Sequence, residues 1–310
     1  MRTAVPFGKK KKLSVLLYTN RHLLLIFLPV LIYYIIFCYL PMFGLVIAFK
    51  NYKPFVGVWG SPWVGLNNFK RFFQSVFFLR VVRNTFTLNL TILIFSFPCP
   101  IILAVLLNEV RALRFKKTVQ TITYLPHFIS VVVVVGMLTD MTALDYGIIN
   151  RMLESLGRQQ ISFMSSPGWF KPLYVISGIW QHVGWNSIIY LAAIDGIDQE
   201  LYEAASIDGA NRLKKIWYIT LPGISATIII LLILQIGNML NVGFEKVLMM
   251  YNPANMEKAD VISTFVYRNG LLTGDLGYGA AVGFFNSVIN CCFLFMANRL
   301  SRQFSGKGLF

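Results

Sequence analysis

Six long apolar stretches decide what this chain can fold into. They lie at about 23–49, 85–108, 118–139, 172–194, 222–241 and 278–298. A helix rises about 1.5 Å per residue, so roughly 20 apolar residues cross the hydrocarbon core of a bilayer. Each stretch meets that length. The third contains the β-branched run Val131 to Val135, which in water would read as a strand. In lipid a lone strand leaves its backbone groups unpaired, so helix is expected there as well. Composition agrees, since the 310 residues are 56% hydrophobic and only 13% charged. A soluble domain carries about twice that charge. The expected fold class is an all-α integral membrane protein with six transmembrane helices.

Residues 1–22 read as a basic cytoplasmic leader containing Lys9 to Lys12. The apolar stretch after Arg21 is too long for a signal peptide and ends without a small-residue cleavage site. Residues 23–298 form one six-span membrane domain, and 299–310 a short cytoplasmic tail. With the N-terminus inside, the inner segments hold 16 of the 28 Lys and Arg in about seventy residues, against 12 in about a hundred outside. That bias places both termini in the cytoplasm. The net charge of +15 follows from it and from anionic headgroups, and no nucleic-acid footprint is visible. Cys38, Cys99, Cys291 and Cys292 all fall inside predicted spans, without disulfide or zinc spacing.

The connections carry further expectations. Phe69, Phe72, Phe73, Val76 and Phe77 share one helical face, which reads as an amphipathic helix on the outer membrane surface, with a partner-binding helix as the alternative. A short helix is expected near Ile148 to Leu156, and Val242 to Gly277 reads as a polar outer loop. Gly274, Gly277, Gly279 and Gly283 lack the Lys-Ser or Lys-Thr of a phosphate loop and read as close helix packing.

The six predicted spans contain no Asp, Glu, Lys or Arg. Intramembrane charges mark ion and proton pathways, so an ion-coupled carrier is disfavoured. The spans hold amides and aromatics instead. Candidates for a solute path are Gln181, His182, Trp185 and Asn186 in the fourth span, Gln235, Asn238 and Asn241 in the fifth, and Asn286 in the sixth. Neutral amides offer hydroxyls both a donor and an acceptor, which suits a neutral polyhydroxylated solute. The alternative for each is a hydrogen bond between helices. His22, His127 and His182 are scattered and form no HExxH motif, which disfavours an intramembrane enzyme.

Between the fourth and fifth spans, at about 195–221, lies a short soluble-looking loop. Asp198 can cap a helix carrying Glu203, Ala204 and Ala205. Gly209 suits its C-terminus. Asn211 can cap a second short helix, and Leu221-Pro222 opens the next span. The expected product is a helix-turn-helix lying along the membrane with Glu203 and Asp208 exposed.

Glu203, Ala204, Ala205, Gly209, Ile219, Leu221 and Pro222 together resemble the EAA loop of permease subunits of binding-protein-dependent ABC importers. The match stands before the penultimate span, where that family carries it. The segment from Leu28 to Phe72 looks like the subgroup that imports oligosaccharides and polysaccharide fragments. The resemblance implies a maltose-importer-like type I permease fold in a bacterial cytoplasmic membrane. It implies a second permease, homologous or identical, two cytoplasmic ATPase subunits and an extracytoplasmic solute-binding protein. The coupling residues would be Glu203, Ala204, Ala205, Asp208, Gly209, Ile219, Leu221 and Pro222. No cofactor is expected in this chain, because ATP and magnesium would be held by the partner ATPase. The chain itself would be non-catalytic. A permease for another neutral solute, or an ion-coupled carrier, is the alternative.

Overall fold

The computed structural model describes residues 21–305, 308 and 309. Most of the leader and part of the tail lie outside the described residues. All regular elements described are helical, apart from one isolated bridge between Lys50 and Trp63. The main ones are α1 (Arg21–Phe49), α2 (Asn67–Phe73), α3 (Phe78–Glu109), α4 (Leu113–Phe128), α5 (Val131–Thr142), α6 (Ile148–Ser155) and α7 (Pro167–Asp195). After these come α8 (Gln199–Ile207), α9 (Arg212–Gly223), α10 (Ser225–Gly237), α11 (Phe244–Met250), α12 (Met256–Ala259), α13 (Ile262–Val266) and α14 (Leu276–Ser305).

By length and composition, α1, α3 and α14 can cross a bilayer, and counting two bent helix pairs raises the number to five. The third apolar stretch is not one straight helix: α4 and α5 meet at 99°. Pro126 belongs to the closing turn of α4. Ser130 then restarts the chain, extended at ψ 150°, its Oγ accepting the Val133 N–H. The fifth stretch is also broken, by 60° between α9 and α10 just after Pro222 and Gly223. Both breaks sit at proline, where the helical hydrogen-bond ladder is interrupted. Helix α7 is long enough at 29 residues, but Gln181, His182 and Asn186 dilute its apolar character.

Three apolar clusters hold the bundle. One joins Leu88 of α3, Val135 of α5, Phe170 and Tyr174 of α7, and Val247 and Met250 of α11. A second joins Phe72 of α2, Val81 of α3, Phe265 of α13 and Val282 of α14. The third joins Ala104 and Leu107 of α3, Tyr190 and Ile194 of α7, and Ile224. The Arg21–Tyr34 part of α1 buries no residue, whereas its later part packs on α14.

The connections depart from expectation in two places. The aromatic segment is not one surface helix, because α2 ends at Phe73 and α3 begins at Phe78. Phe72 is wholly buried, Phe69 and Phe77 are half-buried, and Phe73 and Val76 stay exposed, so this face meets protein only in part. The segment 242–277 is not a loose polar loop either. It holds α11, α12 and α13, and Val261, Ile262 and Phe265 are core residues. Its buried Asp260 is neutralised by Arg268 at 2.8 Å. The expected short helix is present as α6.

Small residues permit the closest approaches. A Cβ on Gly184 of α7 would lie 2.1 Å from the Thr123 carbonyl oxygen of α4. The glycines before and within α14 divide by role. Gly277 faces the Lys50 carbonyl and Gly279 faces Gly270, while Gly274 has a left-handed turn conformation and Gly283 has open space. Gly184→Ala is therefore expected to cost about 1–3 kcal/mol through overpacking. Gly283→Ala is expected to be neutral or slightly stabilising. Thermal unfolding of the detergent-solubilised protein separates the two; equal melting points would contradict the α4–α7 contact.

Candidate functional site

The loop after α7 is built as a rigid elbow. Asp198 Oδ1 accepts the Glu200 N–H at 3.0 Å and opens α8. Glu200 sits in its first turn, where the helix dipole favours a carboxylate. At the other end Gly209 has φ +74°. Its N–H donates to Ser206 O at 3.2 Å, and the Ala210 N–H donates to Ala205 O at 2.9 Å. These two bonds make a Schellman cap. Space around Gly209 is open, so the backbone conformation, not packing, requires glycine. Asn211 Oδ1 accepts the Lys214 N–H at 2.9 Å and opens α9.

Two further bonds close the elbow. The Tyr202 and Thr220 hydroxyls meet at 2.9 Å, and Lys215 Nζ donates to Ser206 Oγ. Ile197, Ile216 and Leu221 pack against Tyr190, Leu191, Ile194 and Ile224. The elbow is thereby seated on one end of α3 and α7. Its free surface presents Glu203, Ala204, Asp208, Gly209 and Pro222, with Ala205, Ile219 and Leu221 half-buried. Ile207 stands 87% exposed beside them. The three ion pairs among the described residues include neither Glu203 nor Asp208. The surface is small, acidic and apolar.

The amides of the spans separate into two groups. Gln181 is buried, and its Nε2 donates to Ile129 O at 2.9 Å. It satisfies the carbonyl freed at the α4–α5 break, so its place among the path candidates is not supported. Asn290, by the same logic, accepts the Leu240 N–H at 2.8 Å. Trp185, Asn186, Gln235 and Asn238 instead line one cavity of about 450 Å³, together with Ser96 and Tyr190. Asn186 is shared with a smaller cavity of about 200 Å³ lined by His182, Tyr174 and Lys246. Asn241 and Asn286 line a third space of about 510 Å³. A relay connects it: Asn286 Nδ2 donates to Asn241 Oδ1 at 2.8 Å, and Asn241 Nδ2 to Asn238 Oδ1 at 3.3 Å.

Three site residues escaped the sequence reading. His127 and His182 are 55 positions apart in sequence, yet their Nδ1 atoms are 3.2 Å apart. His127 also stacks on Trp185, with ring centres 4.4 Å apart and nearly parallel planes. Lys246 belongs to the connection after the fifth span but folds back, buried, against α7. The cavity beside α7 is therefore not uncharged, which corrects the inference from the composition of the spans. Its partner Tyr174 is the third. Nothing local marks these residues, because long-range packing alone brings Lys246 and Tyr174 to the cavity and His127 against its lining residues His182 and Trp185. No group of three or more metal-ligating side chains is present among the described residues.

The helical bundle, the capped elbow and the polar cavities define a membrane permease. Residues 80–306 match the binding-protein-dependent transport system inner membrane component family, and the chain belongs to it. Protein LplB of Bacillus subtilis is 47% identical over 94% of this chain and 92% of its own length. The polygalacturonan/rhamnogalacturonan transport system permease protein YteP of the same organism is 46% identical, covering 97% and 94%. A bacterial alginate ABC transporter, solved with a periplasmic protein carrying an alginate pentasaccharide, has a chain that superposes with a TM-score of 0.88. That chain is 41% identical, with 96% of this chain and all of the other covered. This chain is, more particularly, a permease of an ABC importer for saccharides, within an all-helical type I permease fold.

The elbow's cap yields a direct expectation. Gly209→Val forces a β-branched residue into a left-handed backbone, at a cost of about 1–2 kcal/mol. The Ala210 amide should then exchange with deuterium faster than in the wild type, while α3 and α7 are unchanged. Unaltered exchange across 203–215 would show that the cap does not hold the elbow.

Proposed function

We propose that this chain forms half of the translocation path of an ATP-driven importer for oligosaccharides or polysaccharide fragments. It crosses the bacterial cytoplasmic membrane six times, with the α4–α5 and α9–α10 pairs each acting as one broken span and α7 as the fourth. Both termini are cytoplasmic. It pairs with a second permease, homologous or identical, and with two ATPase subunits that hold ATP and magnesium and hydrolyse the nucleotide. An extracytoplasmic binding protein delivers the solute.

The observation that carries the proposal is the elbow. A short helix fixed by side-chain and backbone caps, seated on two spans and showing unpaired acidic and apolar groups, suits helix-in-groove docking. Glu203 supplies a carboxylate for a basic group on the ATPase. Ala204 and Ala205 leave room for close approach, and Ile207 offers an apolar anchor. ATP-driven closure of the ATPase pair moves α8. The Ile194, Ile197 and Ile224 contacts pass that displacement to α3 and α7, and the path alternates between inward- and outward-facing forms. The amides Asn186, Gln235, Asn238, Asn241 and Asn286 bind sugar hydroxyls, while Trp185 and His127 offer ring faces to the apolar sides of sugars. Relatives named for polygalacturonan, rhamnogalacturonan and alginate support a saccharide polymer fragment as solute.

Glu203→Lys reverses the charge on an exposed face without touching the packed side. The variant is expected to insert normally, lose ATPase association in pull-down, and lose uptake in reconstituted vesicles by about a hundredfold or more, as when a charge pair is replaced by repulsion. Normal association with normal uptake would exclude the elbow as the docking element.

A further inference from the structure

The cavity beside α7 contains a cation that the spans themselves lack. Lys246 is only 7% exposed. Its Nζ donates to the Tyr174 carbonyl at 3.0 Å and lies 4.7 Å from the centre of the Tyr174 ring. Gly178 lies beside it, where an added Cβ would sit in ordinary contact, 3.5 Å from the ammonium. Arg71–Asp275, Lys258–Glu257 and Arg268–Asp260 are the ion pairs among the described residues, and Lys246 belongs to none. Burial pulls its ammonium down to about 8, which leaves it charged at neutral pH.

A buried charge without a counter-ion is costly. An ammonium has three donors, and the structure gives this one a single oxygen acceptor. The cavity in front of it is lined by His182, Asn186 and Ser96, and it continues through Asn186 into the larger amide-lined space. None of these groups is a carboxylate. The cavity is therefore faced by one positive charge with no carboxylate to balance it.

Resting on the reading of the chain as a saccharide permease, the geometry points to Lys246 as a specificity residue for carboxylated sugars. Its ammonium pairs with a uronate carboxylate while Asn186 holds the neighbouring hydroxyls. Neutral sugars need the amides alone. A uronate adds one charge-assisted hydrogen bond and supplies the missing counter-ion.

The test uses the complete importer with its binding protein and ATPases, reconstituted in vesicles. The probes are trigalacturonate and its methyl ester, which has the same ring skeleton without the charge. Lys246→Arg keeps the cation. Lys246→Gln keeps a donor for Tyr174 but no charge. The Arg variant is expected to import the acid within about twofold of wild type, and the Gln variant to import it about tenfold more slowly, the loss of one charge-assisted contact. Both should import the ester at wild-type rates. Unchanged acid uptake by the Gln variant overturns the assignment. Parallel loss of acid and ester overturns it too, and makes Lys246 a strut between α11 and α7. If the wild type refuses the ester, equal acid uptake by the Arg and Gln variants overturns it. Wild-type uptake of the ester without the acid also overturns it but leaves the saccharide reading standing. Failure of the wild type to import either sugar removes the assignment together with the reading beneath it.

Discussion

The arrangement depends on how closely α7 can approach its neighbours. At Gly184 the side chain is a single hydrogen, and the Thr123 carbonyl of α4 occupies the space a methyl group would fill. Membrane helices gain little hydrophobic driving force from meeting one another, so this kind of close van der Waals contact carries the association. With α4 held there, His127 at its end reaches both His182 and Trp185 of α7. The same helix receives Lys246 at Tyr174, about two turns nearer its start than His182. At its far end it runs into the elbow three residues before the Asp198 cap. One helix thus links the cavity to the elbow.

A second constraint is the solvent. Lipid offers no hydrogen bonds, so each break in a helix must be satisfied from within the protein. The structure does this with polar side chains. Gln181 covers Ile129 at the α4–α5 bend, and Ser225 Oγ donates to Pro222 O at the α9–α10 bend. Asn84 Nδ2 donates to the carbonyls of Glu257 and Asp260, and Thr85 Oγ1 accepts the Ile262 N–H, together fixing α12 and α13 onto α3. Polar residues in these spans thus perform two separate tasks. Some complete the backbone of a broken helix, and others line the cavities. Chemistry does not distinguish them, because an amide serves either purpose equally well.

The elbow was legible almost atom by atom in the sequence. Asp198, Gly209 and Asn211 have the roles that their residue types and spacing indicate, since capping depends on neighbours within four positions. The apolar stretches were equally legible as helices, and proline and serine mark where two of them break. The cavity lining was only partly legible. Seven of the eight residues expected to line a path line the cavities or join the amide relay, and Gln181 does not. His127 and Lys246 were missed because one stands at a helix break and the other in a segment that reads as a polar loop.

Local order was settled along the chain itself. Helix rather than strand, membrane rather than water, and the placing of caps and elbow all follow from residue type and short spacing. Folding in three dimensions decided the rest: which amides are spent on backbone groups, that two distant histidines meet, and that a cation from a connection enters an otherwise neutral cavity. Those outcomes depend on which helices touch and at what depth. Burial and charge are properties of an environment assembled from segments far apart in the chain, so no window of neighbouring residues contains them.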